Sequence, residues 1–369
     1  MNILITGANG FIGKNLVAEL KNRNYNNLFL VDKQTSDTQL KEYAQLADYV
    51  FHLAGVNRPK DEEEFKEGNV NFTEVLLGYL SVSNKKAPIM ISSSKQAGLD
   101  NPYGQSKLGG EELIFNYGKE QGVRTLVYRF PNVFGKWSRP NYNSAIATFC
   151  YNVSRDKEIK VNDVNTMMEL VYIDDVVNEL IKGLEGKESR EDNFCFVPTV
   201  HKQKLGWIAE TIYSFKTSRE NLVLPDMGDE LTKKLYSTYL SFLEEDNFSY
   251  LLKMNVDDRG SFTEFLRTTN AGQTSINISK PGIVKGNHWH HTKNEKFLVV
   301  SGNGIIRFRK PESKEVIEYF VSGDKLEVVD IPVGYTHNIE NLGSNDMVTV
   351  MWVNEPFNPN EPDTFFLEV

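Results

Sequence analysis

The sequence predicts two domains of different class: an α/β domain built on a parallel sheet, then an all-β domain of short antiparallel strands. Three observations carry this. Short apolar segments alternate with amphipathic helical ones over the first half. A glycine-rich turn closes the first strand. Near residue 245 the pattern changes to closely spaced β-rich runs. The length of 369 residues accommodates two domains, expected at 1–245 and 246–369.

Ile3–Thr6 reads as a buried strand, Phe11–Leu20 as an amphipathic helix and Asn27–Asp32 as a second strand. Asp48–Leu53 and Pro88–Ser92 are apolar runs of strand length. Tyr103–Gln121 and Arg124–Phe130 repeat the helix-then-strand order. Apolar strands separated by helices require a sheet covered on both faces, hence a parallel one. Glu244-Glu245-Asp246-Asn247 is a polar break. Beyond it lie Ser261–Arg267, Gln273–Ile278, Phe297–Val300, Ile305–Arg309, Val316–Val321 and Met347–Val353. Gly, Pro, Asn and Asp punctuate these runs, the mark of an antiparallel sandwich or barrel.

Composition narrows the function. With 40% hydrophobic and 25% charged residues, the chain has the make-up of a globular protein and not of a disordered one. Lys and Arg total 41 against 50 Asp and Glu, and no basic patch stands out, so no nucleic-acid partner is expected. No apolar run reaches membrane-span length, and the opening residues lack the marks of an export signal. A cytoplasmic protein with no membrane partner is expected, its two cysteines, Cys150 and Cys195, being free thiols.

Gly7-Ala8-Asn9-Gly10-Phe11-Ile12-Gly13 follows the first strand and opens the first helix. Absent side chains let the chain turn tightly and bring backbone N–H groups to a pyrophosphate, where the helix N-terminus adds favourable electrostatics. Gly7, Gly10, Phe11, Ile12 and Gly13 are therefore cofactor-binding candidates. Asp32 ends the second strand, where a carboxylate suits a ribose 2′-OH and hence NAD; Lys33, next to it, suits a 2′-phosphate and hence NADP. Tyr103 and Lys107 lie four apart on a predicted helix and share a face. An ammonium beside the phenol is expected to lower its pKa, so that Tyr103 passes a proton to a substrate oxygen while nicotinamide passes hydride to the carbon.

The G-x-x-G-x-x-G spacing resembles the extended short-chain dehydrogenase/reductase family, whose domain is a Rossmann-type parallel sheet. Asp48-Tyr49-Val50-Phe51-His52-Leu53-Ala54-Gly55 is similar to that family's D-x-V-x-H-L-A-A segment, with Gly55 for the last alanine. Asn69-Val70 with Thr73 resembles the next helix, and Val171–Val176 a later element. Tyr103-Gly104-Gln105-Ser106-Lys107 matches Y-x-x-x-K, and Arg129-Phe130-Pro131-Asn132-Val133-Phe134-Gly135 resembles the loop lining the sugar-nucleotide pocket. The resemblance implies cofactor contacts at Leu53, Ala54, Gly55, Tyr103 and Lys107, a substrate contact at Asn132, and a catalytic serine. Ser94 is chosen from Ser92-Ser93-Ser94 by position; only eight residues separate it from Tyr103, so Ser92 and Ser93 stay open.

Gly282, His288-Trp289-His290, Glu295 and Gly302 fit G-x5-H-x-H-x4-E-x6-G, and Pro332, Gly334, His337 and Asn341 fit P-x-G-x2-H-x3-N. These resemble the two motifs of the cupins, all-β jelly-roll proteins. Alternation along a strand puts His288 and His290 on one face, with His291 away from it. Glu295 and His337 complete a nitrogen-and-carboxylate set that suits Zn, Fe, Mn or Ni. Asp257–Glu264 resembles the D-x-R-G-x-F-x-E opening of sugar-nucleotide 3,5-epimerases, with Arg259 and Glu264 as implied substrate contacts. Lys285-Gly286-Asn287-His288 resembles their R-G-x-H, with lysine for arginine. Such enzymes take a proton from the carbon beside a C4 ketone, through an enolate. His288 is then a base, Tyr335 a proton donor, and Lys285 a holder of the enolate oxygen. His288 cannot be both free base and metal ligand.

A reductase followed by a cupin resembles, over nearly the whole chain, a family of bifunctional capsular polysaccharide synthesis enzymes. The resemblance implies a homodimer with Zn2+ in the cupin and a UDP-linked 4-keto-6-deoxy-2-acetamido sugar as substrate. The C-terminal domain is expected to invert C3. The N-terminal domain is expected to reduce C4 with NADPH (NADH being the alternative). The implied product is UDP-2-acetamido-2,6-dideoxy-L-talose, on the route to UDP-N-acetyl-L-fucosamine. The competing reading is a nucleotide-sugar reductase or epimerase with a structural cupin.

Overall fold

The computed structural model describes residues 1–360 and 362–369. The chain forms two compact units, one of residues 1–212 with 234–244, the other of 213–233 with 245–369. The change of unit thus falls inside two helices, Leu205–Asn221 and Glu230–Leu240, as well as at the polar break. The stretch 213–233 groups with the second unit because its backbone pairs there: Arg267 N–H donates to Leu222 O and Leu224 N–H to Arg267 O, both at 2.7 Å. This pairing crosses more than forty positions of sequence and leaves no local signal.

In the first unit the alternation is β1 (Ile3–Thr6), α1 (Phe11–Asn22), β2 (Leu28–Val31), α2 (Asp37–Leu46) and β3 (Tyr49–His52). Then follow α3 (Glu63–Lys66), a π turn over Glu67–Asn71, α4 (Phe72–Ser81), β4 (Ile89–Ser94), α5 (Pro102–Gln121) and β5 (Thr125–Phe130). These five strands pair in parallel in the order β2-β1-β3-β4-β5, and Phe194–Cys195 and Arg190–Glu191 extend the sheet. β1, β3 and β4 are almost wholly buried, as strands covered on both faces must be. Strand order reverses at β1, so the ligand crevice opens at the carboxyl ends of the strands beside it.

Helix starts follow side-chain chemistry. Ser36 caps α2 and Asn101 caps α5, with Pro102 in its first turn. α1 begins after Gly10 without any side-chain cap, so its first N–H groups face the crevice unclaimed by a side chain. Among the described residues, no helix is long and apolar enough to cross a membrane.

The second unit is two antiparallel sheets, as the sequence predicts for a jelly roll. One contains Asn255–Asp257, Gly260–Arg267, Gln273–Ser279, Met347–Val353, Glu295–Ser301 and Val328–Ile331, in that spatial order. The other runs Val316–Ser322, Asn303–Arg309, Thr336–Asn341, Val284–Trp289 and Phe365–Phe366. Phe297, Val299 and Met347 of the first sheet meet Ile306, Phe308 and Ile339 of the second in one core. Val284–Trp289 and Thr336–Asn341 carry too many polar residues to read as strands by apolar runs, yet they hold His288 and His337.

Candidate active sites

A cavity of about 1180 Å³ opens at the carboxyl ends of the first unit's sheet. Gly7, Gly10, Phe11, Ile12, Gly13, Leu53 and Gly55 line it, with Ser94, Tyr103, Lys107 and Asn132. The glycines have steric reasons. Gly7 sits at φ +68°, and a Cβ there would lie 2.7 Å from Ala54 N; one on Gly13 would lie 2.2 Å from Gly7 O. The loop after β1 therefore packs directly on the loop after β3. Gly55 also leaves room, since a Cβ there would lie 2.8 Å from Asn69 Oδ1 and 3.0 Å from Lys107 Nζ. This is a local reason for glycine where the family pattern has alanine.

A buried polar chain ties these loops together. His52 Nδ1 lies 2.7 Å from Thr6 Oγ1 and its Nε2 lies 2.8 Å from Thr73 Oγ1. Thr73 donates to Asn69 O, so it accepts from Nε2–H of His52; Thr6 accepts from Ala54 N–H and donates to Nδ1. Burial, aided by repulsion from Lys107, holds the His52 imidazole neutral, its pKa down to about 3. Asn69, on the π turn, bonds both Val56 N and Val56 O and also Ser106 Oγ.

Ser92, Ser93 and Ser94 all line the cavity, and Ser93 and Ser94 differ in environment. Ser93 is buried and donates to Glu111, whose carboxylate also takes two bonds from Arg129. Ser94 lies beside the Tyr103 hydroxyl. Burial raises the Tyr103 pKa, the hydrogen bond with Ser94 opposes this, and nearby Tyr142 adds to the rise. The expected lowering by Lys107 is not found. Its ammonium sits 6.0 Å from the phenol ring centroid and bonds Ser92 O at 3.3 Å. Burial instead brings Lys107 itself down to about 8, against the pull of Glu111. Tyr103 is thus a neutral phenol, a donor rather than a ready base.

Ala54 and Asp32 do not line the cavity, though Lys33, Arg58 and Lys14 do. The Asp32 carboxylate is already engaged, accepting from Asn9 Nδ2 at 2.6 Å and Gln34 N–H at 2.8 Å.

The second unit holds its own cavity of about 490 Å³, lined by Arg259, Lys285, His288, Glu295 and His337 among others. A bulge shapes it. The register between Val284–Trp289 and Thr336–Asn341 slips after Gly286, with Gly286 at φ +105° and Asn287 at φ +59°, so that His288 pairs with His337. His290 stands one residue past the strand end, with its ring 4.9 Å from that of His288. Ligand atoms of His288, His290, Glu295 and His337 all lie within 4.8 Å of one another. Glu295 Oε2 is 3.2 Å from His337 Nε2 and 3.7 Å from His290 Nε2. These three atoms are buried without a hydrogen-bond partner. Such orphaned atoms, two nitrogens facing one carboxylate oxygen, are the donor set a divalent cation satisfies. Burial works against ionisation of Glu295, yet the facing imidazoles hold its pKa down at about 2. Burial lowers His288 to about 4, with His337 and His290 adding to the drop.

Lys285 lines the same cavity, its Nζ bonded to Asn277 Oδ1 at 2.7 Å and Ile278 O at 2.9 Å. Arg259 reaches the cavity while paired with Asp257. Two expected residues lie elsewhere. Glu264 is bound to Arg267, and Tyr335 packs against the apolar core beneath Lys310. Neither lines the cavity. Glu264 is followed by a register shift at Glu264/Leu266, which a motif match does not reveal. His291 is exposed, as alternation predicts.

Comparison with known proteins agrees with this layout. Residues 3–194 match the NAD dependent epimerase/dehydratase family, and residues 255–365 match the polysaccharide biosynthesis C-terminal domain. The chain belongs to the NAD dependent epimerase/dehydratase family. Over 369 residues it is 44% identical to the UDP-2-acetamido-2,6-beta-L-arabino-hexul-4-ose reductase of Pseudomonas aeruginosa, covering all of this chain and 99% of that protein. The crystal structure of the capsular polysaccharide assembling protein CapF from Staphylococcus aureus is 57% identical, with both chains fully covered and a TM-score of 0.95. A UDP-glucose 4-epimerase from Thermotoga maritima shares the fold at 20% identity and a TM-score of 0.56, over 66% of this chain and 98% of that one. Within this epimerase/dehydratase chain, Glu111, Asn277 and Asp363 are polar residues that motif reading misses. Each acts on a site residue through tertiary contact, so no spacing rule marks it.

Proposed function

We propose that the chain is a bifunctional nucleotide-sugar enzyme of capsular or O-antigen polysaccharide synthesis. Its second unit epimerises C3 of a UDP-2-acetamido-2,6-dideoxy-4-keto-hexose. Its first unit then reduces the C4 ketone with NADPH, giving UDP-2-acetamido-2,6-dideoxy-L-talose. The observation that carries the reading is the presence of two separate cavities with different chemistry. One has Ser94, Tyr103 and Lys107 with a glycine-rich loop; the other has Lys285 with His288, Glu295 and His337 in its lining, three of four clustered groups able to ligate a metal. The full-length likeness to a protein named a UDP-hexulose reductase supports the substrate class.

In the first cavity NADPH supplies the hydride. The uncapped start of α1 and the glycines of its loop receive the pyrophosphate. Lys33 favours a 2′-phosphate, and the engaged carboxylate of Asp32 does not compete for it. Ser94 and Tyr103 hold the C4 oxygen. Tyr103, a phenol at neutral pH, delivers its proton as the ketone becomes an alkoxide. Lys107 lends positive charge to the phenolate that results.

In the second cavity His288, His290, Glu295 and His337 hold a divalent cation, zinc by our reading. Such a cation supplies electrostatic stabilisation of developing negative charge. Lys285 faces the same space and holds the enolate oxygen, with Asn277 and Ile278 keeping its ammonium oriented. A ligating His288 has no free lone pair for proton abstraction, so in the loaded enzyme it does not serve as the base.

The test is deuterium uptake. The UDP-linked 4-keto sugar is incubated in deuterated water without nicotinamide cofactor, C3 is followed by mass spectrometry, and NADPH is then added. Uptake before NADPH and oxidation only after it are expected. Oxidation without uptake at C3 would reduce the protein to a ketoreductase.

A further inference from the structure

The end of the chain folds back over the strand that carries His288. Phe366 pairs opposite His288 and Phe365 opposite Trp289. Leu367 N–H donates to Asn287 O at 2.9 Å, and the Thr336 hydroxyl donates to Leu367 O. Asp363 heads this segment. Its carboxylate accepts the backbone N–H groups of His291, Thr292 and Lys293 at 3.0, 2.9 and 3.0 Å, and the Thr292 hydroxyl at 3.1 Å. Its main-chain carbonyl lies 2.6 Å from His290 Nδ1. Lys293, buried itself, donates its ammonium to Pro362 O at 2.7 Å. The residue that makes these contacts sits at φ +37°, a backbone conformation uncommon outside glycine.

A carbonyl oxygen only accepts. Nδ1 of His290 therefore carries a proton, and the lone pair of the neutral ring sits on Nε2. Nε2 is the buried, unpartnered atom that faces Glu295. One residue thus does two things. Its side chain shapes the turn immediately after His290, and its backbone fixes which nitrogen of His290 meets the other ligands. A metal-bound histidine is typically oriented in this way through its second nitrogen.

We infer that Asp363 is the positioning residue of the four-group cluster, holding His290 with Nε2 turned towards Glu295 and His337 to receive a divalent cation. The inference rests on the proposed cation site.

The test uses the full-length protein stripped of metal. Zn2+ is titrated in competition with a chromophoric chelator, and long-range 1H–15N spectra of the metal-free protein at pH 8 report the His290 tautomer, assigned with His290→Gln. The expected wild-type spectrum has the proton on Nδ1. Asp363→Ala should mix the tautomers and weaken Zn2+ binding by about ten- to a hundred-fold. Both variants keep the main-chain carbonyl; Asp363→Asn also keeps one side-chain acceptor oxygen and should fall between. If the wild type binds Zn2+ and Asp363→Ala binds it equally with an unchanged His290 signal, the positioning role is wrong while the cation site stands. If the wild type binds no Zn2+, the cation reading fails and takes this one with it. Should Asp363→Ala not fold, Asp363→Asn decides: wild-type affinity and tautomer would overturn the inference.

Discussion

Tyr103→Phe separates the two proposed chemistries. The substitution removes one hydroxyl and keeps the ring, whose packing on Phe65 at 5.6 Å between centroids is unaffected. The lost bond to Ser94 is worth about 1 kcal/mol, so the protein stays folded. The lost proton donor is worth far more. General acid catalysis contributes about 10²- to 10⁴-fold, or roughly 3–5 kcal/mol of barrier. NADPH oxidation should fall by that factor. Deuterium uptake at C3 should stay within about twofold of wild type, a change below roughly 0.5 kcal/mol of barrier, because among the described residues none lines both cavities. Both signals come from one sample: absorbance of the reduced nicotinamide, and the mass of the sugar before NADPH is added. Parallel loss of exchange and oxidation, with thermal unfolding unchanged, would refute the division of labour. Undiminished oxidation would remove Tyr103 as the proton donor.

Three more outcomes follow from named contacts. Glu111→Gln removes the carboxylate that supports Lys107, so the high-pH loss of reductase activity, expected near pH 8 as Lys107 gives up its proton, should move to lower pH; an unmoved limb in the kcat/KM profile would show that Lys107 does not act as an ammonium. His52 is neutral in the fold, with a pKa near 3 against 6.5 unfolded, so its contribution is complete above pH 6.5 and is lost as pH falls towards 3. From pH 7.5 to 5 that linkage amounts to about 2 kcal/mol, and denaturant unfolding of His52→Gln should show a pH dependence shallower by that amount; parallel curves for variant and wild type would contradict it. Lys285→Ala should cut C3 exchange by about 10²- to 10³-fold while oxidation of NADPH by an already epimerised ketone continues; full exchange in the variant would mean that another group holds the enolate oxygen.

The sequence disclosed the parts that repeat locally. β1, α1 and the glycine turn show because apolar period, helix start and missing side chains are neighbours in the chain. His288, His290, Glu295 and His337 show for the same reason, at short spacing within two motifs. The bulge at Asn287 does not show. It depends on Gly286 passing close to His337 O and Asn338, contacts that alternation alone cannot report. Glu264 and Tyr335 fail for a related reason: a motif fixes residue type, while the direction of a side chain depends on register. What sets Ser93 apart from Ser94 is Glu111, seventeen positions beyond Ser94, which claims the Ser93 hydroxyl. Asp363 has no local signature at all, since its three N–H partners lie some seventy residues away.

Under the proposed function, two cavities rather than one follow from what each reaction asks of its acid and base groups. Reduction needs a proton that stays in place until hydride arrives, and the raised pKa of Tyr103 keeps it there. Enolate formation needs positive charge ready for the developing oxygen anion. Glu295, ionised down to about pH 2, and His288, neutral down to about pH 4, are in the protonation states that ligate a cation beside Lys285. A phenol held protonated by burial is a poor base, and a cluster built for a cation is a poor proton donor. Under the proposed order the separation has a further consequence. Epimerisation requires the C4 ketone to acidify the neighbouring C–H, and reduction abolishes that ketone. The second reaction therefore draws off the epimer that the first produces. It also prevents the product from returning to the enolate, since an alcohol at C4 gives no such acidity.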